Sequence, residues 1–519
     1  MLTKKGKFTL VPQLDRYPWL VEFAQTIVGR LVVLAIFSGL IFFFWPLWGH
    51  YIGLCLFFCI FLPQYRHVIL VVASLGAVFL GRTYMEWNFI NDLGYTYGIS
   101  RPLIDSPFTT ISIVGFVLLC FFLIFHFSKS SRSGFRIRRP ILTIIAGYLL
   151  LAFGIPHLPV HDYVKLGLWI FLIVFSKYFW FLCYSLLDRN DPKVPPFPQH
   201  LGLYYPFWYV SVLPYYRGIS HFQRIIAKSP EELAICRLKG LKLLIWACYL
   251  SMASLLIGTV FYGKGQDISG IIKFLLEANG GPLNIYFQNK LIYVIDKWPL
   301  LLNLPHYKYA FAQSVSGTPL AFYWNWLALI VWFIGQLLIL ATISHAGIAI
   351  CRMAGYNALR NVYNPLKSKS IADFWNRMYF YYKELLVNVF YYPTFLNLFK
   401  NRPILRYYAA TMAAACVGNF FYHYLLKVNM IVRQGAFETM ISMHSLMFYC
   451  FLLGNGIFLS QYRKLKTGRS GRKLPQPFRA IIVLGFYCLI GIFWDDNVPL
   501  IDNLKFFLAL FNITIGGNG

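Results

Sequence analysis

A histidine lies in the middle of an apolar run in the C-terminal third of the chain. In the segment AAACVGNFFYHYLLK, His423 has Asn419 four residues before it and Lys427 four residues after it. This spacing places all three polar side chains on one face of a helix. An ionisable side chain in such a run indicates a functional site, and a neutral imidazole can act as a general base. From the spacing alone, a hydrogen-bonded core histidine is an equally good interpretation.

A second polar cluster lies in the stretch DFWNRMYFYYKELL, which begins at Asp373. As one continuous helix, it would place Asp373, Arg377, Glu384 and Asn388 within about 60° of one another, with Asn376 beside them. Because buried charge must be paired or hydrated, this polar stripe should face a water-filled cavity or lie at the membrane surface. The alternative is that Asp373 and Arg377 simply pair on a cytoplasmic surface helix.

His444, in MISMHSLMFYC, is a second histidine within an apolar run. It has no polar residue at helical spacing on either side comparable to those around His423. We therefore expect His444 to have a structural role.

These side chains belong to a chain with the composition of a membrane protein. It has 519 residues, of which 58% are hydrophobic and 13% are charged, whereas a soluble chain carries about 25% charged residues. Many apolar runs approach the roughly 20 residues that cross a bilayer as a helix. We predict an all-α polytopic integral membrane protein with about 10–12 transmembrane helices, plus re-entrant or interfacial helices.

The apolar runs that support this prediction fall near residues 27–45, 47–62, 67–81, 108–128, 140–156, 163–187, 241–262, 319–343, 374–396, 405–428, 435–460, 480–494 and 504–515. A proline-rich joint, PPFPQH, follows the sixth run. We therefore divide the chain into N-terminal transmembrane helices, residues 1–195, and a core with C-terminal helices, residues 196–519.

The net charge of +28 comes mainly from lysines and arginines in short loops between apolar runs. That distribution indicates membrane orientation rather than nucleic-acid binding. The ten cysteines form no CxxC pair and show no zinc spacing, so we predict small buried side chains and no metal site.

Basic loops predict which side of the membrane each segment faces. The N-terminus and the loops at residues 129–139 and 463–479 are rich in lysine and arginine and should be cytoplasmic. The basic segment that follows residue 343 should also be cytoplasmic. Three runs separate it from the loop at 463–479, and three full crossings cannot join two loops on the same side. We therefore expect residues 374–396 not to cross the membrane fully.

The segment HAGIAICRMAGYNALRNVYNPLKSKSIADFWNRMYFYYKELLVNVFYYP resembles the signature region of the membrane-bound O-acyltransferase (MBOAT) family. The similarity is nearest to the bacterial branch that acylates extracytoplasmic polysaccharides and wall polymers. The positions that carry it are Gly347, Ala349, Gly355, Asn361, Pro365, Ser370, Phe374, Trp375, Arg377, Tyr391 and Pro393.

The resemblance implies a catalytic residue. The family's intramembrane histidine follows its Phe-Trp pair by some 45 residues, and His423 follows Trp375 by 48 residues on a later predicted helix. Tyr379 stands where the bacterial branch usually has a second histidine, and the catalytic triplet reads Tyr422-His423-Tyr424 instead of Trp-His-Gly.

The resemblance implies acyl transfer in an MBOAT-like bundle, with its helices arranged around a central cavity. An acyl group would pass from acyl-CoA or an acyl carrier protein, as co-substrate, to a hydroxyl of an extracytoplasmic glycan, lipid or polymer. No bound cofactor is expected, and a further accessory protein is a possible partner besides the bilayer. The implied location is the bacterial cytoplasmic membrane. With His423 as the base, the candidate substrate-binding residues are Asn419, Asn376, Arg377, Trp375, Asp373, Tyr379 and Lys427.

Two other functions remain open from the sequence. A transporter or flippase would use the polar stripe to line a translocation path, and inverted repeats would support it, but the sequence shows none. Alternatively, the acyl group would pass to a protein acceptor.

Overall fold

The computed structural model describes residues 11–44, 46–80, 87–98, 107–129, 137–201, 217–262, 304–468, 474–495 and 498–515. The described residues are mainly helical and contain no β-strand, only an isolated antiparallel bridge between Ile226 and Tyr356. The prediction of an all-α protein is confirmed at this level.

The helices before residue 263 are α1 (Pro18–Gln25), α2 (Ile27–Phe44), α3 (Pro46–Phe61), α4 (Arg66–Leu80), α5 (Trp87–Thr96), α6 (Pro107–Ser128), α7 (Pro140–Gly154), α8 (Asp162–Asp188), α9 (Phe197–His200), α10 (Ile219–Ile225) and α11 (Pro230–Tyr262). Short 3₁₀ helices occupy Leu14–Arg16, Pro63–Tyr65 and Ile155–His157.

The helices after residue 303 are α12 (Tyr307–Val315), α13 (Phe322–Met353), α14 (Ile371–Met378), α15 (Phe380–Leu386), α16 (Tyr392–Asn397), α17 (Pro403–Met412), α18 (Asn419–Leu426), α19 (Val428–Gln434), α20 (Ala436–Ser442), α21 (His444–Thr467), α22 (Gln476–Ile490) and α23 (Leu500–Ala509). Two π-helical turns occupy Val387–Tyr391 and Ala413–Gly418, and 3₁₀ helices occupy Pro365–Lys367 and Gly491–Trp494.

Among the described residues, five helices are long and apolar enough to cross a membrane: α6, α7, α8, α13 and α22. Three bent helix pairs raise the number to as many as eight if each pair is one span. The bends are 99° between α1 and α2, 112° between α3 and α4, and 61° between α20 and α21. These numbers fit an integral membrane protein and are lower than the 10–12 spans predicted from the sequence.

Two helices extend beyond their predicted limits. Helix α11 begins at Pro230, not near residue 241, and α13 continues to Met353, beyond the predicted end at residue 343. The two helices pack closely, since a Cβ atom on Gly240 would lie 2.9 Å from the carbonyl oxygen of Ala349. Residues 344–353 are therefore helical and not a loop, and small residues there allow this tight helix packing. Their location on the cytoplasmic side stays a prediction.

One hydrophobic core extends across the predicted boundary at residue 195. Trp180 on α8 stacks on Tyr422 of α18 at 5.7 Å between ring centroids, so a helix of the N-terminal part supports the segment that carries His423. Several predicted loops lie partly or wholly outside the described residues. They are the N-terminal basic residues before 11 and parts of the loops at 129–139 and 463–479.

Candidate functional site

The stretch that begins at Asp373 is two helices and not one. Helix α14 ends at Met378, Tyr379 has non-helical backbone angles (φ −134°, ψ 49°), and α15 begins at Phe380. The prediction of one continuous helix with Asp373, Arg377, Glu384 and Asn388 in a single stripe is therefore wrong, and Asn388 lies in the π-helical turn after α15. The break changes the direction in which the side chains after Tyr379 point relative to those before it.

Asn361 stabilises this break from the preceding loop. Its carbonyl oxygen accepts a hydrogen bond from the Phe380 N–H at 3.2 Å, and its Oδ1 accepts one from the Tyr381 N–H at 3.0 Å. Its Nδ2 donates to Ser344 Oγ at 3.0 Å, which fixes the amide orientation. The first N–H groups of a helix have no partner within the helix, and Asn361 provides acceptors for two of them. The sequence analysis did not predict this role.

Asp373 and Arg377 form the i, i+4 ion pair that was the alternative interpretation, with Arg377 Nε donating to Asp373 Oδ1 at 3.0 Å. Both side chains are about a quarter exposed. Asp373 also accepts a hydrogen bond from the Lys369 N–H, and Asn376 is exposed. The polar contacts of Asp373 and Arg377 thus lie at the surface of α14, and the structure does not bring these residues into the cluster around His423.

Glu384 on α15 pairs with its neighbour Lys383 and with Arg217 from the segment before α10. Burial acts to raise the pKa of Glu384, but the two cations outweigh burial and hold this pKa below its usual value. Glu384 therefore joins two segments that are far apart in the sequence.

The aromatic side chains of α14 and α15 lead to His423. Trp375 contacts Tyr379 and Tyr382, with ring centroids 5.1 and 5.9 Å away. Tyr382 contacts Tyr422 edge to face at 4.8 Å, and Tyr422 lies next to His423. Of the predicted site residues, Trp375, Tyr379, Asn419 and His423 therefore belong to one cluster, in which Trp375 and Asn419 are buried and the other two are half-buried.

Asn419 is fully buried one helical turn before His423. Its Oδ1 accepts a hydrogen bond from the Tyr382 hydroxyl, so its Nδ2 is oriented away from that contact. Nδ2 is buried and has no hydrogen-bond partner. A buried donor without a partner is costly, and it is therefore a candidate for contact with a substrate or water.

His423 also has a buried polar atom without a hydrogen-bond partner. Its Nε2 is buried without a hydrogen-bond partner, and its ring lies edge-on to Trp494 at 4.7 Å between centroids. Trp494 ends the 3₁₀ turn after α22 and was not predicted to belong to the site. No local pattern in the sequence distinguishes Trp494, because tertiary packing alone brings it to His423. Lys427, directly after α18, acts electrostatically on His423.

Two π-helical turns pack against each other beside this cluster. Val387–Tyr391 follows α15 directly, and Ala413–Gly418 precedes α18. A Cβ atom on Gly418 would come within 2.8 Å of ring carbons of Phe390, so glycine allows the approach. Turns of this kind are rare and often occur at functional sites. The hydrophobic pattern of the sequence does not reveal them.

His444 differs from His423 in its hydrogen bonding. Its Nδ1 lies 2.9 Å from the carbonyl oxygen of Ile441, and its Nε2 accepts a hydrogen bond from the Leu500 N–H at 2.8 Å. Both ring nitrogens are therefore used to connect α20, α21 and α23. This arrangement is the one expected of a structural histidine.

A cleft of about 700 Å³ lies between α5, the start of α8 and α19. Its lining includes Asp92, His161, Asp162 and Arg433, but none of the predicted site residues. The central cavity expected from the sequence remains a prediction. Within the described part of the chain, no group of three or more His, Cys, Asp or Glu side chains is placed to hold a metal ion.

No family model matches the chain, and no curated protein matches it.

Proposed function

We propose that the chain is a membrane-bound O-acyltransferase of the MBOAT type. It transfers an acyl group from acyl-CoA or an acyl carrier protein to a hydroxyl of an extracytoplasmic glycan, lipid or polymer. The observation that carries the proposal is the pair of buried, unpartnered polar atoms on successive turns of one helix, Asn419 Nδ2 and His423 Nε2. The resemblance around Trp375 supports the same assignment.

The proposed step uses these two atoms. His423 Nε2 accepts the proton of the acceptor hydroxyl as the oxygen attacks the thioester carbonyl carbon. Asn419 Nδ2 donates a hydrogen bond to the oxyanion that forms. As the intermediate collapses, the C–S bond breaks, and the thiolate receives the proton from the His423 imidazolium. The products are an ester and a thiol.

The surrounding residues have supporting roles in this proposal. Tyr382 holds the amide of Asn419 through its hydroxyl, and Trp494 packs edge-on against the His423 ring. Trp375 contacts the ring of Tyr382, and Tyr379 contacts Trp375, so both support Tyr382. Asn376 and Arg377, which were also predicted to bind substrate, lie at the surface of α14 and are assigned no step. The proposed location is the bacterial cytoplasmic membrane, with the N-terminus cytoplasmic.

The test is thiol release by purified protein from a series of acyl-CoA and acyl carrier donors, with and without hydroxyl acceptors. The wild-type protein should release thiol and form ester. His423→Gln should lower the rate about 10²–10⁴-fold, the range for loss of a general base.

His444→Gln is the matched control. It should lower stability by about 1–3 kcal/mol through lost hydrogen bonds but retain the turnover of the folded fraction. Wild-type turnover in His423→Gln would overturn the assignment. Absence of thiol release with every donor, together with substrate movement in vesicles, would instead favour a transporter.

A further inference from the structure

Three arginines come together near two of the helix bends. Arg30 lies in the first turn of α2, just after the 99° bend, and Arg66 begins α4, just after the 112° bend. Arg237 lies in the second turn of α11. Helix α11 packs against α2, and Arg237 Nη2 lies 3.3 Å from the carbonyl oxygen of Ile60, in the last turn of α3 before the bend that Arg66 follows. The charges of Arg30 and Arg66 also act on Arg237, in agreement with one shared region.

These arginines are buried with few partners. Arg66 and Arg237 are each 3% exposed, and Arg30 is half-buried. The Nε atom of all three is buried without a hydrogen-bond partner. Their other hydrogen bonds are long, from Arg66 Nη1 to the Gly355 carbonyl oxygen at 3.4 Å and from Arg237 Nη2 to that of Ile60 at 3.3 Å. The Arg66 guanidinium also lies 5.4 Å from the ring centroid of Tyr356, which carries no counter-charge.

Within the described residues, no ion pair neutralises these charges. Asp15, which lies in the 3₁₀ turn before α1, is paired with Lys242. Like charges repel one another strongly away from water, and a buried charge without a counter-charge is costly. The described residues supply no counter-charge here, so a bound anion would stabilise the arrangement.

We propose that Arg30, Arg66 and Arg237 form a binding site for a phosphate group. The planar guanidinium presents several N–H donors that match phosphate oxygens, and it is less strongly hydrated than an ammonium group. The phosphate belongs either to a phospholipid headgroup or to a soluble molecule, because both present the same oxygens. The site shares no residue with the cluster around His423 and does not depend on the proposed acyl transfer.

The test is the thermal unfolding midpoint of delipidated protein in phosphate-free buffer and an uncharged detergent. Four additions are compared: inorganic phosphate, phosphatidylglycerol in mixed micelles, diacylglycerol, and sodium chloride at matched ionic strength. Phosphate or phosphatidylglycerol should raise the midpoint, whereas diacylglycerol and chloride should not. A response to the lipid alone identifies a headgroup site, and a response to inorganic phosphate identifies a site open to soluble phosphate.

Variants separate a specific site from general charge effects. Arg66→Gln should weaken binding about 10- to 100-fold for whichever ligand stabilises the wild-type protein, phosphate or phosphatidylglycerol. This is the effect expected for a lost charged hydrogen bond. Arg30→Gln, at a half-buried position, provides the same test if Arg66→Gln does not fold. Lys464→Gln is the control because Lys464 is an exposed cation on α21.

Arg30→Gln also tests the direction in which the unfolding midpoint changes. Without ligand, removing one of three like charges should raise the midpoint, whereas with saturating ligand the wild-type protein should be the more stable. The proposal is overturned if neither phosphate nor phosphatidylglycerol stabilises the wild type, if chloride acts equally, or if Arg30→Gln and Lys464→Gln respond alike.

Discussion

His423 and His444, the two histidines in apolar runs, differ in their hydrogen bonds. Both ring nitrogens of His444 have backbone partners, whereas Nε2 of His423 is buried without one. An imidazole fixed by two backbone groups cannot take a proton from a substrate without losing one of those bonds. His423 keeps Nε2 available, and this difference makes it the candidate base.

The amide of Asn419 allows a test of the oxyanion assignment. Asn419→Leu should lower kcat about 10²–10³-fold, the usual cost of losing one oxyanion donor. Tyr382→Phe should lower kcat by less than about 10-fold, because Nδ2 remains and only its positioning is weakened. Ester formation by the purified variants is the measurement. Asn455→Leu is the control, since Asn455 is a half-buried asparagine on α21 whose amide bonds only the Phe451 carbonyl of its own helix, and its turnover should be unchanged.

Glu384 predicts a dependence of stability on pH. Its pKa in the folded protein lies below its usual value of 4.5, because Lys383 and Arg217 favour the carboxylate. A lowered carboxyl pKa contributes stability above the unfolded value, and that contribution is lost as the pH falls through the folded pKa. Below about pH 4.5 the wild-type unfolding midpoint should therefore fall more steeply than that of Glu384→Gln. Parallel acid profiles of the two proteins would contradict this role.

The contact between the two π-helical turns depends on one glycine. In Gly418→Ala, the added methyl group meets the ring of Phe390, and we expect a loss of about 1–3 kcal/mol. Because Gly418 is next to Asn419, turnover per folded molecule should also fall. Unfolding in detergent and ester formation are the two measurements.

Gly485→Ala on α22 is the matched control for this substitution. A Cβ atom there would meet nothing within 4 Å, so the change should be neutral or stabilise the protein by up to about 1 kcal/mol through helix propensity. Equal effects of the two substitutions would show that Phe390 adapts and that the contact is not tightly packed.

For the molecule within its membrane, the main topological prediction concerns the segment from α14 to α16. Cysteines introduced at Lys369 and Lys400, which are exposed on either side of it, should react with a membrane-impermeant maleimide from the same side. A cysteine at the exposed Lys464, near the predicted cytoplasmic loop, reports the cytoplasmic side. Labelling of positions 369 and 400 from opposite sides would contradict the prediction.

The helical class and most helix positions follow from the sequence. Apolar runs near 27–45, 108–128 and 163–187 match α2, α6 and α8 to within one residue at each end. Exposure of such apolar runs to water is unfavourable, and within a bilayer a helix satisfies its own backbone hydrogen bonds. The sequence also indicated that Asn419 and His423 share a helix face and that Asp373 can pair with Arg377, because these spacings are local.

Tertiary structure decided which of these residues lie together. The break at Tyr379 depends on Asn361, and the contact with His423 depends on Trp494, 71 positions further along the chain. The arginines at positions 30, 66 and 237 lie on three different helices, and they share one region only because the chain bends before two of these helices and brings them together. Helical periodicity specifies neighbours within a few turns of the same helix. Contacts between distant segments depend on how whole helices pack, and no local pattern encodes that packing.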